Sequence, residues 1–276
     1  MPGRETVSAP ALAGPLTALV GKAAAAIRAM PAATVELRVK NDGSTVTAAD
    51  EAAERIILDG LASLAPGIPV VSEEQMARGD APALAARFFL VDPLDGTREY
   101  VAGRDEYAVN LALIEDGTPV LGIIAAPAHG IVWRGIVGHG AERLASGDIT
   151  AARAEPIRTR PWPGADALAT VSRSHLDPHS EALLARLPVT HRVAMGSALK
   201  FTRLAEGGAD VYPRLAPTSE WDVAAGHALL VAAGGAMTAA DSTPLTYGGS
   251  GRNFIVPGFV AWGDPRRAQV AGRDAR

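Results

Sequence analysis

The sequence predicts a mixed α/β protein, with helices and a sheet in its first half and alternating strand and helix in its second. Three observations carry this prediction. Two segments with helical spacing of apolar residues open the chain, and short β-type apolar runs follow as far as residue 137. Strand and helix patterns then alternate from residue 167 to 233. Alternation of this kind is typical of layered α/β domains.

The N-terminal half begins with two helical segments. An Ala-rich helix is predicted over 11–30 and ends at Pro31, which cannot continue a helix. After a turn at 40–44, a second helix covers 47–64 and begins at Thr47. The predicted strands are 69–72, 87–91, 107–114, 120–125 and 131–137, with Glu-Asp-Gly at 115–117 as a hairpin turn.

A polar, Arg-rich stretch with three prolines covers residues 141–164, and it predicts a domain boundary. We therefore expect an N-terminal α+β domain over 1–140 and a C-terminal α/β domain over 141–276. The predicted strands of the second domain are 167–172, 189–194 and 209–213, and its helices are 178–187, 197–206 and 223–233.

Composition excludes several classes of protein. The 276 residues are 48% hydrophobic and 20% charged, which indicates a globular chain and not a disordered one. A net charge of -4 argues against binding a nucleic acid polymer but allows a local basic pocket for one phosphate. The chain has no cysteine, so disulfides, thiolate metal sites and cysteine nucleophiles are excluded.

The apolar segments predict neither an integral membrane segment nor a signal peptide. The most apolar window, 223–240, is shorter than a spanning helix and contains His227, so we expect a buried helix there. The first residues have no apolar core followed by a cleavage site. We expect a cytoplasmic protein.

The basic residues are 23 arginines and only three lysines. A GC-rich genome explains this bias without any functional cause. It nevertheless makes each lysine less typical of a casual surface residue, and Lys200 lies in the suggestive stretch Gly-Ser-Ala-Leu-Lys.

The segment Val-Asp-Pro-Leu-Asp-Gly-Thr at 91–97 is the most informative. An apolar run places Asp92 at the end of a predicted buried strand, and Asp95 follows three residues later. Adjacent carboxylates repel each other, and a divalent cation such as Mg²⁺ relieves that repulsion. Gly96 allows close backbone approach, and the helix start at Thr97 offers amide donors to a phosphate. The alternative is an Asx turn that merely ends the strand.

Further acids follow apolar segments, and each has an ordinary alternative. Glu73 and Glu74 end another predicted strand, where they could simply be solvated. Asp222 precedes an apolar helix and could be its N-cap. Asp50 completes the capping-box pattern Thr-Ala-Ala-Asp at 47–50.

Together these segments resemble the inositol monophosphatase-type superfamily of Mg²⁺-dependent, lithium-sensitive phosphatases. Ser-Glu-Glu at 72–74, Asp-Pro-Leu-Asp-Gly-Thr at 92–97 and Trp-Asp at 221–222 carry that resemblance. Within this superfamily, the chain resembles the bacterial CysQ-type 3'(2'),5'-bisphosphate nucleotidases. This closer resemblance runs in order from about residue 42 to 257, on segments 42–50, 69–74, 95–100, 172–175, 196–201 and 221–228. Arg98 departs from the usual Lys, and 138–164 matches no motif.

The resemblance implies a fold and a role for each matching residue. The fold would be a layered α/β/α/β/α sandwich with the site between its domains. Asp50 and Thr97 would orient and deprotonate a metal-bound water, with Glu73 sharing the site. The amides of Gly96 and Thr97 would hold the scissile phosphate. The implied metal ligands are Glu73, Asp92, the carbonyl of Leu94, Asp95 and Asp222, for two or more Mg²⁺ ions.

The resemblance also implies a second binding region, for the nucleotide and its other phosphate, formed by His175, Ser197, Lys200 and Arg214. Two cations and a hydroxyl suit a phosphate. The alternatives are that Lys200 is a solvated helix residue and that Arg214 pairs with a carboxylate. His227 lies outside this pattern and is interpreted as a core histidine.

The implied activity is hydrolysis of the 3'-phosphate of adenosine 3',5'-bisphosphate to AMP and phosphate, in sulfur metabolism. One alternative keeps the chemistry but changes the substrate to an inositol or sugar monophosphate. Another is a catalytically inactive sensor of phosphorylated nucleotides, which the complete set of acids disfavours. The resemblance also allows a homo-oligomer and peripheral association with the inner membrane.

Overall fold

Two large sheets form the frame of the molecule in a computed structural model, which describes residues 7–30, 32, 36–40, 45–145, 153–174, 176–249 and 253–268. The helices are α1 (Ala9–Ala29), α2 (Ala48–Leu64), α3 (Glu73–Ala77), α4 (Thr97–Val101), α5 (Pro178–Arg186), α6 (Leu199–Ala205) and α7 (Glu220–Ala232). Two two-stranded sheets complete the set, one of β1 (Arg38–Val39) with β2 (Thr45–Val46), the other of β13 (Thr218–Ser219) with β15 (Ile255–Val256).

The first large sheet has seven strands that follow chain order: β3 (Val70–Ser72), β4 (Arg87–Asp95), β5 (Ala108–Glu115), β6 (Thr118–Ala126), β7 (Ile131–Ile136), β8 (Gly140–Ala145) and β9 (Ala154–Ile157). Only the first pair is parallel. Strands β8 and β9 lie where the sequence predicted no strand. Because β9 is an edge strand, it tolerates Pro156 and lacks the alternation that would have revealed it.

The second large sheet has five strands in the order β11 (Val189–Met195), β10 (Ala167–Ser172), β12 (Val211–Arg214), β16 (Phe259–Trp262) and β14 (Ala236–Ala239). The first three are parallel, and β16 is antiparallel to both of its neighbours. The predicted strand and helix alternation is therefore confirmed, with an antiparallel pair at one side.

Three apolar clusters define five layers. On β4, Phe89 and Val91 point toward α1 and α2, whereas Phe88 and Leu90 point toward α7, as the two-residue period of a strand requires. Helices α6 and α7 lie between the two sheets, and α5 covers the far face of the five-stranded sheet through Leu184. The layers thus run α1 and α2, sheet, α6 and α7, sheet, α5, so the α/β/α/β/α sandwich is confirmed.

Helix α7 packs against the first sheet at two glycine residues of that sheet. A Cβ atom built on Gly122 of β6 would lie 2.2 Å from the carbonyl oxygen of Ala225, and one built on Gly135 of β7 would lie 2.6 Å from the Cα of Leu229. No side chain fits at either position without moving the helix. These two glycines therefore set the distance between α7 and the sheet.

Helix α1 is long and apolar enough to cross a membrane by length and composition alone. In the fold, 56% of its most apolar window is buried, and Leu16, Val20 and Ile27 are fully enclosed against the first sheet and α2. This burial is what a core helix requires.

Candidate active site

One cleft opens at the end of β4, between the two large sheets. It collects side chains from α3, β4, α4, β12 and α7, and from α6 with the turn before it. Ten of the twelve residues singled out in the sequence line it: Glu73, Asp92, Leu94, Asp95, Gly96, Thr97, Ser197, Lys200, Arg214 and Asp222. Asp50 lies behind Thr97, and His175 is outside the described residues.

A bulge in β4 places Asp92 and Asp95. The register of β4 against β5 shifts between them, so that three steps along β4 oppose two along β5. Pro93 lies in the bulge, where its missing N–H costs the ladder nothing. Asp92 accepts a hydrogen bond from the Leu94 N–H over 3.0 Å, and Asp95 accepts from Asn110 over 3.2 Å. The contact between Asp92 and the Leu94 N–H is the hydrogen bond of an Asx turn, but it does not end the strand, which extends to Asp95.

Helix α4 begins directly after Asp95 and Gly96. Gly96 adopts φ 94°, a left-handed conformation that favours glycine, and it is the N-cap residue of α4. A Cβ there would also lie 3.1 Å from the carbonyl oxygen of Glu106. The next residue, Thr97, donates its hydroxyl proton to Asp50 Oδ1 over 3.0 Å and lies 3.1 Å from the carbonyl oxygen of Leu94.

Asp50 is 1% exposed, and its other carboxylate oxygen completes the predicted capping box. Oδ2 accepts from the backbone N–H of Thr47 over 2.9 Å and from its hydroxyl over 2.6 Å. Burial raises the pKa of Asp50, and the hydrogen bonds from Thr47 and Thr97 oppose that rise. The same carboxyl therefore caps α2 and reaches the cleft.

Glu73 opens α3 instead of ending a strand in solvent. The ammonium of Lys40 lies 2.8 Å from Glu73 Oε1 and 2.6 Å from Glu74 Oε1. Burial raises the pKa of Glu73 to about 7, although the charge of Lys40 opposes the shift.

Helix α3 is held from behind by Glu54, a buried carboxylate one turn beyond Asp50 on α2. Glu54 accepts hydrogen bonds from the Ser72 hydroxyl over 2.7 Å, the Gln75 N–H over 3.1 Å and Arg78 over 2.8 Å. These contacts fix both ends of the short helix and with it the position of Glu73.

Asp222 comes from the opposite side of the cleft, in the first turn of α7. The N-cap of α7 is Ser219, so the N-cap alternative for Asp222 is wrong. Its carboxylate accepts a hydrogen bond from the Thr218 hydroxyl. An acid in the first turn also gains from the helix dipole.

The carboxylates of the cleft raise one another's pKa. Burial first, and then the charges of Glu73, Asp95 and Asp222, raise the pKa of Asp92 well above its usual range. Burial and the charge of Asp222 raise the pKa of Asp95 to about 6. Burial likewise raises the pKa of Asp222 to about 6. Concentrated negative charge of this kind is relieved by a cation.

The donor set fits Mg²⁺ in its chemistry, because every ligand atom would be an oxygen. Within the described ranges no three His, Asp or Glu side chains form a ready-made cluster around one ion. Several are turned toward protein donors instead: Glu73 toward Lys40, Asp222 toward Thr218, and Asp95 toward the Ala198 N–H at 2.5 Å.

The far end of the cleft is basic. Lys200 of α6 is 3% exposed, so it is not a solvated helix residue. Its ammonium donates to the carbonyl oxygens of Ser197 at 2.6 Å and Met195 at 3.3 Å, and it lies 5.2 Å from the ring centroid of Tyr212. Burial lowers the pKa of Lys200 to about 8. An anion bound nearby would raise it again.

Arg214 ends β12 beside this lysine and lines the same cleft. Its Nε is buried, and no hydrogen-bond partner for it occurs among the described residues. Across the described ranges Arg214 also forms no ion pair with a carboxylate, contrary to the alternative raised from the sequence. The guanidinium therefore keeps donors for a ligand.

His227 is a core histidine, as predicted. Its Nδ1 lies 2.9 Å from the Tyr247 hydroxyl, and burial lowers its pKa to about 4. It does not line the cleft.

Sequence reasoning missed several residues around the cleft, among them Lys40, Glu54, Glu106 and Arg173. The scarcity of lysine that drew attention to Lys200 applies equally to Lys40, which was assigned only to a turn. Arg173 lies in the matching segment 172–175 but was given no role, and Glu54 and Glu106 had no local signal.

Comparison with known proteins agrees with this architecture. The family model described as inositol monophosphatase family matches residues 13–262. The 3'(2'),5'-bisphosphate nucleotidase CysQ of Salmonella typhimurium is 41% identical over 226 residues, which cover 82% of this chain and 88% of that protein. The enzyme of the same name from Escherichia coli strain K12 is 40% identical over 221 residues, covering 80% and 86%.

Among solved structures, CysQ from Bacteroides thetaiotaomicron is similar with a TM-score of 0.71 and 32% identity, over 90% of this chain and 95% of that one. The inositol monophosphatase of an Anabaena species has a TM-score of 0.72 at 25% identity, over 96% of each chain. With its motifs, its five layers and these relatives, the chain belongs to the inositol monophosphatase family.

Proposed function

We propose that this protein is a phosphatase that removes the 3'-phosphate of adenosine 3',5'-bisphosphate, giving AMP and phosphate. The observation that carries the proposal is the division of one cleft into an acidic end at β4 and a basic end at Lys200 and Arg214. The CysQ relatives bear the name of this nucleotidase activity.

The two ends suit two phosphates in different ways. At the acidic end the scissile 3'-phosphate would meet the amides of Gly96 and Thr97. At the basic end the 5'-phosphate would meet Lys200, Arg214 and Ser197, which lie on the same side of the cleft. Two of the three N–H donors of Lys200 are directed to backbone carbonyls, which leaves one for a phosphate oxygen.

Asp50 and Thr97 would hold the attacking water and take its proton. The Thr97 hydroxyl accepts from the water while it donates to Asp50, so the pair can pass a proton toward the carboxylate. The elevated pKa of Asp50 makes it a better base than an exposed aspartate. Asp50 is itself fixed by Thr47, so the acceptor is already oriented before substrate arrives.

Mg²⁺, in two or more ions, is the proposed cofactor, held by Glu73, Asp92, Asp95, Asp222 and the carbonyl oxygen of Leu94. Bound divalent ions neutralise phosphate charge and lower the pKa of water. A bound cation would also relieve the repulsion among these crowded carboxylates, and this relief favours cation binding.

A role in sulfur metabolism and a cytoplasmic location belong to the same proposal, since adenosine 3',5'-bisphosphate is a product of sulfate activation. An inositol or sugar monophosphate is not favoured as substrate, because the basic end would then have no phosphate to hold. An inactive sensor is disfavoured because every proposed acid is present in the sequence.

Phosphate release from a panel of substrates tests the proposal. The panel contains adenosine 3',5'-bisphosphate, its 2',5' isomer, inositol 1-phosphate and fructose 1,6-bisphosphate, each assayed with Mg²⁺. We expect the highest kcat/KM for a nucleotide bisphosphate. A higher value for inositol 1-phosphate would overturn the assignment.

A further inference from the structure

Glu106 joins the two halves of the molecule beside the cleft. It lies in the connection between α4 and β5, on the side of the seven-stranded sheet. Arg173, which follows β10 of the other sheet, donates to it twice: from Nη2 to Oε1 over 2.6 Å and from Nε to Oε2 over 2.8 Å. This bidentate geometry fixes direction as well as distance.

Glu106 also accepts a hydrogen bond from the backbone of the second half of the chain. Its Oε2 accepts from the Gly196 N–H over 2.9 Å, and Arg173 Nη2 donates to the carbonyl oxygen of Ala194 over 2.7 Å. A Cβ on Gly196 would lie 2.6 Å from the Glu106 carbonyl oxygen, so the two backbones meet without room for a side chain. The end of β11 is thereby tied to the first half of the chain.

The turn that follows, at residues 196–198, has a strained backbone and lines the cleft. Ser197 has φ 49°, a left-handed conformation that a serine rarely adopts. Its neighbours on both sides donate their N–H groups to carboxylates of the first half: Gly196 to Glu106 and Ala198 to Asp95. The Ser197 carbonyl oxygen in turn accepts from Lys200. Strain of this kind persists only where the surroundings hold it.

We propose that Glu106 is a positioning residue, which holds the 196–198 turn across the junction so that Ser197 and Lys200 face the second phosphate. The inference rests on the proposed function and extends it. Asp95 anchors the turn at one end but belongs to the acidic site. Glu106 anchors the other end, and it does not line the cleft. Glu106 can therefore act on the substrate in two ways, by holding the turn and through the effect of its charge on Lys200.

Two variants separate the contacts of Glu106. Glu106→Ala removes both the ion pair and the acceptor for the Gly196 N–H. Glu106→Gln keeps an oxygen that can accept from Gly196 while it removes the charge. The matched control is Glu181→Ala on α5, which removes an exposed ion pair with Arg192 of β11 (2.5 Å) that involves none of the residues of the turn.

Steady-state kinetics with adenosine 3',5'-bisphosphate and with adenosine 3'-monophosphate is the measurement. For Glu106→Ala we expect KM for the bisphosphate to rise by about ten-fold, the effect of losing one charge-assisted contact to the second phosphate. The monophosphate parameters should stay close to those of the wild-type enzyme. Glu106→Gln, which lacks the ion pair with Arg173, should show a smaller but equally selective rise in KM for the bisphosphate. Glu181→Ala should match wild type on both substrates.

Equal losses on both substrates would overturn the proposal, because they would show a general structural role. An unchanged KM in Glu106→Ala would overturn it as well. Should Glu106→Ala fail to fold, Glu106→Gln still decides, since a selective rise in its KM for the bisphosphate supports positioning and a uniform loss refutes it. Failure of the proposed function itself would show in the wild-type enzyme, as a lack of preference for the bisphosphate.

Discussion

Thr97 donates its hydroxyl proton to Asp50 Oδ1 over 3.0 Å, and this contact connects α4 to α2 at the floor of the cleft. The second oxygen of Asp50 serves the capping box with Thr47. The two interpretations of Asp50, helix cap and catalytic base, are therefore assigned to different atoms of one carboxyl group. That separation makes them experimentally distinguishable.

Asp50→Asn should slow turnover by at least about a hundred-fold, because a neutral amide cannot take up the proton that Thr97 passes on. Thr47→Ala should instead lower the free energy of unfolding by about 1 kcal/mol, the usual value of a cap, with turnover largely retained. Phosphate release and thermal unfolding of both variants check this. A lower Tm with an unchanged rate in Asp50→Asn would leave only the capping role.

Glu54→Gln should weaken metal binding, although Glu54 is not one of the proposed metal ligands. The change removes the charge that Ser72, Gln75 and Arg78 share, so α3 and Glu73 lose their fixed position. Loss of such supporting contacts typically costs about ten-fold in metal affinity. The measurement is the Mg²⁺ concentration for half-maximal activity.

The control for this change is Glu51→Gln on the same helix, whose exposed carboxylate pairs with Arg38. Its half-maximal Mg²⁺ concentration should equal that of the wild type. If both variants shifted alike, the effect would come from lost negative charge on α2 and not from α3.

Metal removal should make stability depend on pH in a defined direction. Burial and mutual repulsion raise the pKa of Asp95 and of Asp222 from 3.8 to about 6, and burial raises that of Glu73 from 4.5 to about 7. A raised native pKa means that the native state binds protons more tightly than the unfolded chain. The contribution of these groups to stability is therefore full below about pH 4 and lost as the pH rises toward 7.

In excess chelator, the Tm difference between wild type and Asp95→Asn or Asp222→Asn should thus change across that window, with wild type losing more as the pH rises. Mg²⁺ at neutral pH should raise the wild-type Tm and restore activity, while both variants should lack turnover. Ca²⁺ should inhibit, because its looser coordination suits in-line attack poorly, and Li⁺ should suppress activity. Full activity in chelator would contradict the metal requirement.

Lys200→Ala should discriminate between substrates. Hydrogen bonds to charged groups are worth roughly 1.5–3 kcal/mol each, so kcat/KM for adenosine 3',5'-bisphosphate should fall about ten- to hundred-fold. Slow hydrolysis of the 3'-monophosphate should barely change, since it brings no phosphate to the basic end. Equal losses would assign Lys200 to structure or to the acidic site.

Local patterns predicted β4 and α2, the two elements that bear Asp50, Asp92 and Asp95. The apolar run before Asp92 predicted β4, and the Thr-Ala-Ala-Asp pattern predicted the start of α2 at its cap. Helix α3 was not predicted, because five residues are too few to display a helical period. Strand β4 also runs four residues further than predicted, since the bulge at Pro93 continues pairing past Asp92.

The contacts across the junction could not be predicted in this way. Arg173 lies 67 residues from Glu106, and Gly196 lies 90 residues from it. Nothing in the sequence near any of them marks the other two. The resemblance pointed to Ser197 and Lys200 because their motif matches. It could not explain the strained backbone of Ser197, because that strain is held by contacts between the two halves of the molecule.

The contact of α7 with Gly122 and Gly135 also has a consequence for the cleft. Asp222 stands at the first turn of this helix, whereas Asp92 and Asp95 stand on the sheet against which the helix rests. A methyl group at Gly122 would act as a spacer and push the helix outward. Gly122 and Gly135, which do not line the cleft, thus set the distance between the carboxylate on α7 and those on β4, and with it the size of the ion that we propose binds between them.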